Sequence, residues 1–267
     1  MRRQPQADAR DDALPVNPAR FAPLPPADAS ELLRGLAAHD PIRALSLAFV
    51  PDAMRAAALT ACAFVAEAAG IPARVSDPTI GLIRVQWWHE ALEEASGEGA
   101  VRAHPLVRAL RLTVSSPHRA PLEQALSAIP PFLEGGHGAP AALLGATDGA
   151  MGRLVASLVS PQADLGLAEE ASVVAALAQV IATPPPPARS PQIETPRQRA
   201  SRMARREAPD VRARLADLKT AWAGGAADGV VLGALPVAVA ERQAGGRPPG
   251  PLRTRLLMTR MVARGRP

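Results

Sequence analysis

Arg84 and Gln86 stand just ahead of the adjacent pair Trp87-Trp88, and this is the densest group of recognition-capable side chains in the chain. A guanidinium at Arg84 has two uses. It can take a phosphate through two parallel hydrogen bonds, or it can clamp Asp77 at the start of its own helix. Neighbouring residues on a helix lie about 100° apart, so Trp87 and Trp88 cannot share a face. One belongs in the core and the other at a groove or partner surface. Glu67 sits in an alanine-rich helix, either as a cavity acid or as an ion-pair partner for Arg43, Arg55 or Arg74. His104, before Pro105, reads as a capping or packing residue. Cys62, the single cysteine, excludes an internal disulfide framework and a multi-cysteine zinc site, and it reads as a small core residue. The five histidines form no H-x-x-x-H pair, which argues against a zinc hydrolase.

The elements that position these residues are helical, because β-branched alternation and hairpin turns are nearly absent. Asp28 or Ser30 is expected to cap a first helix carrying Leu32, Leu33 and Leu36. After Asp40-Pro41, Ile42, Leu45 and Phe49 share a face until Pro51. A long helix follows from Asp52 to Ala69, closed by Gly70 and Pro72. Asp77-Pro78 opens another, with Ile80, Ile83, Trp87 and Leu92 predicted on the buried side. Further helices are expected over Pro105–Val114, Pro121–Leu133, Pro140–Val159 and Leu167–Ala182. Past the prolines at 184–187 come Gln198–Trp222, Val230–Ala240 and Pro251–Ala263. The expected fold is all-α, a single helical bundle. Its parts are a disordered leader (1–27), a helical core (28–183), a proline-rich loop (184–197) and basic C-terminal helices (198–267) that complete the bundle.

Charge divides at the loop. From Arg189 onward there are 16 basic and 6 acidic residues, and only one of the 30 basic residues, Lys219, is a lysine. This balance suits an anionic membrane surface. Nucleic acid is not an expected partner, because stacking aromatics and recognised reading motifs are missing. The N-terminus lacks the apolar stretch of a secretory signal, and no strongly apolar membrane-spanning segment is expected. A cytoplasmic location, with a peripheral position at the inner membrane face, follows as the expectation.

Two stretches resemble a known family. One is Asp40-Pro41-Ile42-Arg43, Phe49-Val50-Pro51, Arg55 and Ala63-Phe64 with Glu67. The other runs Val75-Ser76-Asp77-Pro78, Gly81, Ile83 to Leu92, then His104-Pro105-Leu106-Val107. Over residues 40–110 the order and spacing are similar to the squalene/phytoene synthase family, and especially to its complex I assembly factor-like branch. A fainter likeness continues in Gly149-Ala150-Met151-Gly152. The resemblance implies an isoprenoid synthase type of bundle with an interior cavity. In catalytic members it implies Mg-dependent head-to-head joining of prenyl diphosphates, with the metal held by two aspartate-rich motifs on facing helices.

Those motifs are not matched. Only Glu67 remains after Ala63-Phe64, Pro72 cuts the helix short, and the second region holds alanines and prolines. The adjacent Glu169 and Glu170 point in different directions, and the one D-x-x-D-D, Asp8 to Asp12, lies in the leader. No catalytic or metal-binding residue is therefore assigned and no cofactor is expected. Arg43, Glu67, Asp77, Arg84, Gln86 and Trp87 stand as cavity or phosphate-contacting candidates. The leading reading is a squalene/phytoene synthase-like protein that has lost prenyl transfer and binds a protein partner, with complex I subunits implied by the resemblance. The alternative is a Mg-dependent prenyl diphosphate transferase.

Overall fold

Asp40-Pro41, Asp77-Pro78 and His104-Pro105 start three helices by one device. The first residue of each pair is extended, its side chain accepts an N–H of the first turn, and proline takes the first helical position, where its missing N–H costs nothing. The computed structural model describes residues 23–114, 116–134, 142, 144–182, 208–222, 228–244 and 249–264. Every regular element among them is helical, so the architecture is all-α.

In chain order the helices are α1 (Pro26–His39), α2 (Pro41–Ser46, continued by a 3-10 turn Leu47–Phe49), α3 (Asp52–Gly70), α4 (Pro78–Ser96), α5 (Pro105–Thr113), α6 (Ser116–Ser127) and α7 (Pro130–Leu133). A π turn at Gly145–Gly149 leads into α8 (Ala150–Val159). Then come α9 (Leu165–Ala182), α10 (Ala208–Ala221), α11 (Asp228–Gly233), α12 (Val237–Ala244) and α13 (Pro251–Arg264). The proline-rich loop, nearly all of the leader and the start of the charged helix predicted from Gln198 lie outside the described residues.

Several expectations needed correction. α1 starts at Pro26, and Asp28 is a buried first-turn residue held by Arg108 at 2.6 and 3.0 Å. The segment predicted as Pro121–Leu133 divides, because α6 starts five residues earlier with Pro121 inside it and α7 is separate. The helix predicted over Val230–Ala240 breaks at the turn around Pro236, as a residue without an N–H dictates. On α4, Ile80 and Ile83 are exposed, and the buried stripe is Gly81, Val85, Trp88 and Leu92. The reason is Gly81. With no side chain there, Leu133 of α7 fills the space, so the helix turns that side inward.

α3 lies at the centre, against α1, α5, α6 and α8, and α9 packs against α8, α10 and α12. Both are long and apolar enough to cross a membrane by length and composition, and both are mostly buried in the bundle. Small residues let the helices close on each other. A side chain added at Gly152 of α8 would overlap Ser172 Oγ of α9 and stand 2.7 Å from the Ala168 carbonyl. One added at Gly233 of α11 would overlap the Gly152 carbonyl. Into this three-helix junction runs the buried Arg43 of α2. It donates to the Gly233 carbonyl and, at 2.9 Å, to Ser172 Oγ, which itself donates to the Ala168 carbonyl at 2.9 Å. Arg43 therefore ties residues far apart in the chain into one buried polar knot.

Candidate functional site

The tryptophan pair divides at the helix surface. Trp88 is buried, edge-on to Phe64 of α3 with ring centroids 5.5 Å apart, while Trp87 is half-buried. Arg102, in the connection to α5, places its guanidinium 4.5 Å over the Trp87 ring, a cation–π contact. The same guanidinium donates to Glu94 through Nε at 2.9 Å and to the Trp87 carbonyl at 3.1 Å. These hydrogen bonds hold the Glu94 carboxyl below the usual carboxylate range. The exposed edge of Trp87 is thus fixed by a neighbour from its own hairpin of helices.

His104 packs edge-on against both tryptophans, 5.6 and 5.1 Å between centroids, and its Nδ1 accepts the Leu106 N–H at 3.2 Å. Burial, helped by Arg108, pushes its pKa below the ordinary 6.5, against the opposing pull of Glu67 and Glu31. The unfolded imidazole therefore takes up a proton at higher pH than the folded one. Stability from this group is fully present above about pH 6.5 and is lost as pH falls through the lower folded value. His104→Asn keeps a capping acceptor and removes the titration. Urea midpoints measured between about pH 7 and pH 5 should fall less steeply in that variant, and an unchanged slope would exclude His104 as the source.

The six candidate residues do not converge. Asp77 caps α4 by accepting the Thr79 N–H at 2.8 Å, and the Arg84–Asp77 clamp does not form. Arg84 lies two turns along the helix, about 10 Å away, and extends into solvent with no partner among the described residues. Gln86 is exposed and donates to Glu90 at 3.2 Å. Arg43 is consumed in the core junction. Glu67 opens onto a cleft of about 360 Å³ between α1, α3 and α5, where Arg74 holds it in an ion pair and His104 forms part of the wall. Arg55 of α3, also buried, donates to the Leu47 and Val50 carbonyls at 3.2 and 2.7 Å. Cys62 of α3 is buried, and burial pushes its thiol up to about 12, so it stays protonated and unreactive.

A second cleft, of about 560 Å³, lies between α6, the π turn, α8, α9 and α10. Its polar wall is two ion pairs that the sequence pattern did not reveal. Arg153 of α8 donates to Glu169 at 3.2 Å, and Arg214 of α10 holds Glu170 at 2.7 to 2.9 Å. The adjacent glutamates thus point to different helices, each toward its own guanidinium. The only local clue was that they are adjacent, because Arg214 is 44 residues from its partner.

This donor set does not fit a magnesium cluster. Magnesium wants ordered octahedral oxygen ligands. Here Glu67 faces one cleft and Glu169 and Glu170 another, and arginines engage all three. Among the described residues no group of three His, Cys, Asp or Glu side chains is placed to hold a metal. The undescribed residues 183–207 contain two acids in the sequence, Glu194 and Glu207.

Comparison with known proteins adds one match. The profile of the squalene/phytoene synthase family matches residues 36–134, a little over a third of the chain. No curated protein and no solved structure matches. The matched stretch runs from the third turn of α1 to the end of α7 and holds the helix-starting Asp40-Pro41, Asp77-Pro78 and His104-Pro105 pairs, the tryptophan pair and Glu67. Residues 36–134 therefore carry the squalene/phytoene synthase pattern, within an all-α bundle of the isoprenoid synthase type.

Proposed function

We propose that this squalene/phytoene synthase-like bundle binds a protein partner and does not join prenyl diphosphates. The observation that carries the reading is the fate of the carboxylates. Departure of a diphosphate from an allylic carbon requires strong charge neutralisation, which divalent ions held between opposed acids supply. Glu67, Glu169 and Glu170 are each neutralised by an arginine of the same chain and are divided between two clefts. The close approach of the π turn and α8 to α9 at Gly149 and Gly152 adds support, since an added side chain at either glycine would meet α9. The partner class comes from the resemblance of residues 40–110 to the complex I assembly factor-like branch, so the proposed partners are respiratory complex I subunits.

The full chain incubated with farnesyl or geranylgeranyl diphosphate and Mg²⁺ is expected to release no pyrophosphate above the protein-free control. Release that EDTA abolishes would overturn the reading in favour of a Mg-dependent transferase.

A further inference from the structure

α13, the last described helix, presents opposite faces to the protein and to solvent. Thr254, Met258 and Met261 are buried where the helix packs on α11, α12 and α2. At about 100° per residue the outward face carries Leu252, Leu256, Thr259 and Ala263, spaced i, i+4, i+7 and i+11. Leu252 is 83% exposed and Leu256 53% exposed. Thr259 spends its hydroxyl on the Arg255 carbonyl at 2.9 Å, so the stripe asks for no polar partner. Arg253, Arg260 and Arg264 flank it on one side, and Arg255 with the 41% exposed Val262 on the other. The helix contains no acid, and these four arginines have no ion pair among the described residues.

We propose that α13 docks on the anionic surface of a phospholipid bilayer. Leu252 and Leu256 enter the boundary between headgroups and acyl chains, while the four guanidiniums extend sideways to lipid phosphates. Charge complementarity selects this occupant: four unopposed cations border an apolar stripe that points away from the protein. A nucleic acid would satisfy the arginines but leave the leucines against phosphodiesters, and the helix offers no aromatic ring for stacking. The inference goes beyond partner binding and does not depend on whether prenyl transfer occurs.

The test is co-sedimentation of the full chain with phosphatidylcholine vesicles, with and without phosphatidylglycerol. Binding to the anionic vesicles alone, weakening as salt is raised, is the expected result. Leu252→Asp/Leu256→Asp should abolish it. Arg253→Gln/Arg260→Gln should lower the partition coefficient about 30-fold, about fivefold for each arginine. Each variant should retain its helicity and thermal midpoint, because the altered side chains face solvent. Ile83→Asp, on the exposed side of α4, serves as the control and should bind normally. Equal binding to neutral vesicles, full binding by the leucine variant, loss in the Ile83 control, or binding of RNA but not of vesicles would each overturn the proposal.

Discussion

Gly152→Ala is expected to lower the thermal midpoint by about 10 °C or more, a large effect for one methyl group. The added carbon would overlap Ser172 Oγ and meet the Ala168 carbonyl at 2.7 Å. Backbone cannot swing aside as a flexible side chain can, so α8 and α9 must separate. Overpacking of this kind costs about 3 kcal/mol or more when helices have to move. Separation would also displace Ser172, which accepts the Arg43 guanidinium. Gly35→Ala is the matched control. It lies on the exposed side of α1 with nothing within 4 Å of the added carbon, and there alanine should stabilise by about 0.5–1 kcal/mol. The two substitutions, identical in chemistry, should move the melting curve in opposite directions. A Gly152→Ala protein that melts like the parent would show that α8 and α9 leave room for the added methyl group.

Arg43→Ala should cost about 3–5 kcal/mol, read as a lower urea midpoint. It removes the donors to Gly233 and Ser172 and leaves a cavity among buried residues. Arg43→Lys should recover little of the loss, because one ammonium cannot reproduce a planar fork that serves two acceptors on different helices. The Gly152→Ala and Arg43→Ala losses should sum to more than the double variant shows, since both act on one knot. Strict additivity would mean that the contacts are energetically independent. Either way, Arg43 contributes to stability from inside the core and does not offer its charge to a phosphate.

What the sequence revealed was local. Aspartate-proline pairs marked the starts of α2 and α4 because the cap and the restricted first residue are neighbours in the chain. The tryptophans could be assigned to different environments because their angular separation is a property of any helix. What stayed hidden depended on residues distant in sequence. Asp28 finds Arg108 across 80 positions, and Arg43 finds Ser172 across 129. The inward face of α4 differs from the one hydrophobicity favours, Ile80 and Ile83, because the space available lies at Gly81, and only the position of Leu133 shows that. For the candidate site, the missing aspartates were legible in the sequence. The arginines that engage the remaining acids were not, because nothing in the spacing of residues 153, 169, 170 and 214 shows that they meet.

The bond from Arg43 to Gly233 closes a span of 190 residues. During translation at about 5–20 residues per second, the guanidinium waits about 10–40 s after it is made before its carbonyl acceptor exists. Until then α2 has no complete site to occupy, and the α8 groove that receives α11 lies open. The family-like early helices are thus released from the ribosome well before the clasp that seats them, and for that interval the nascent chain presents an unfinished apolar surface of the kind chaperones bind.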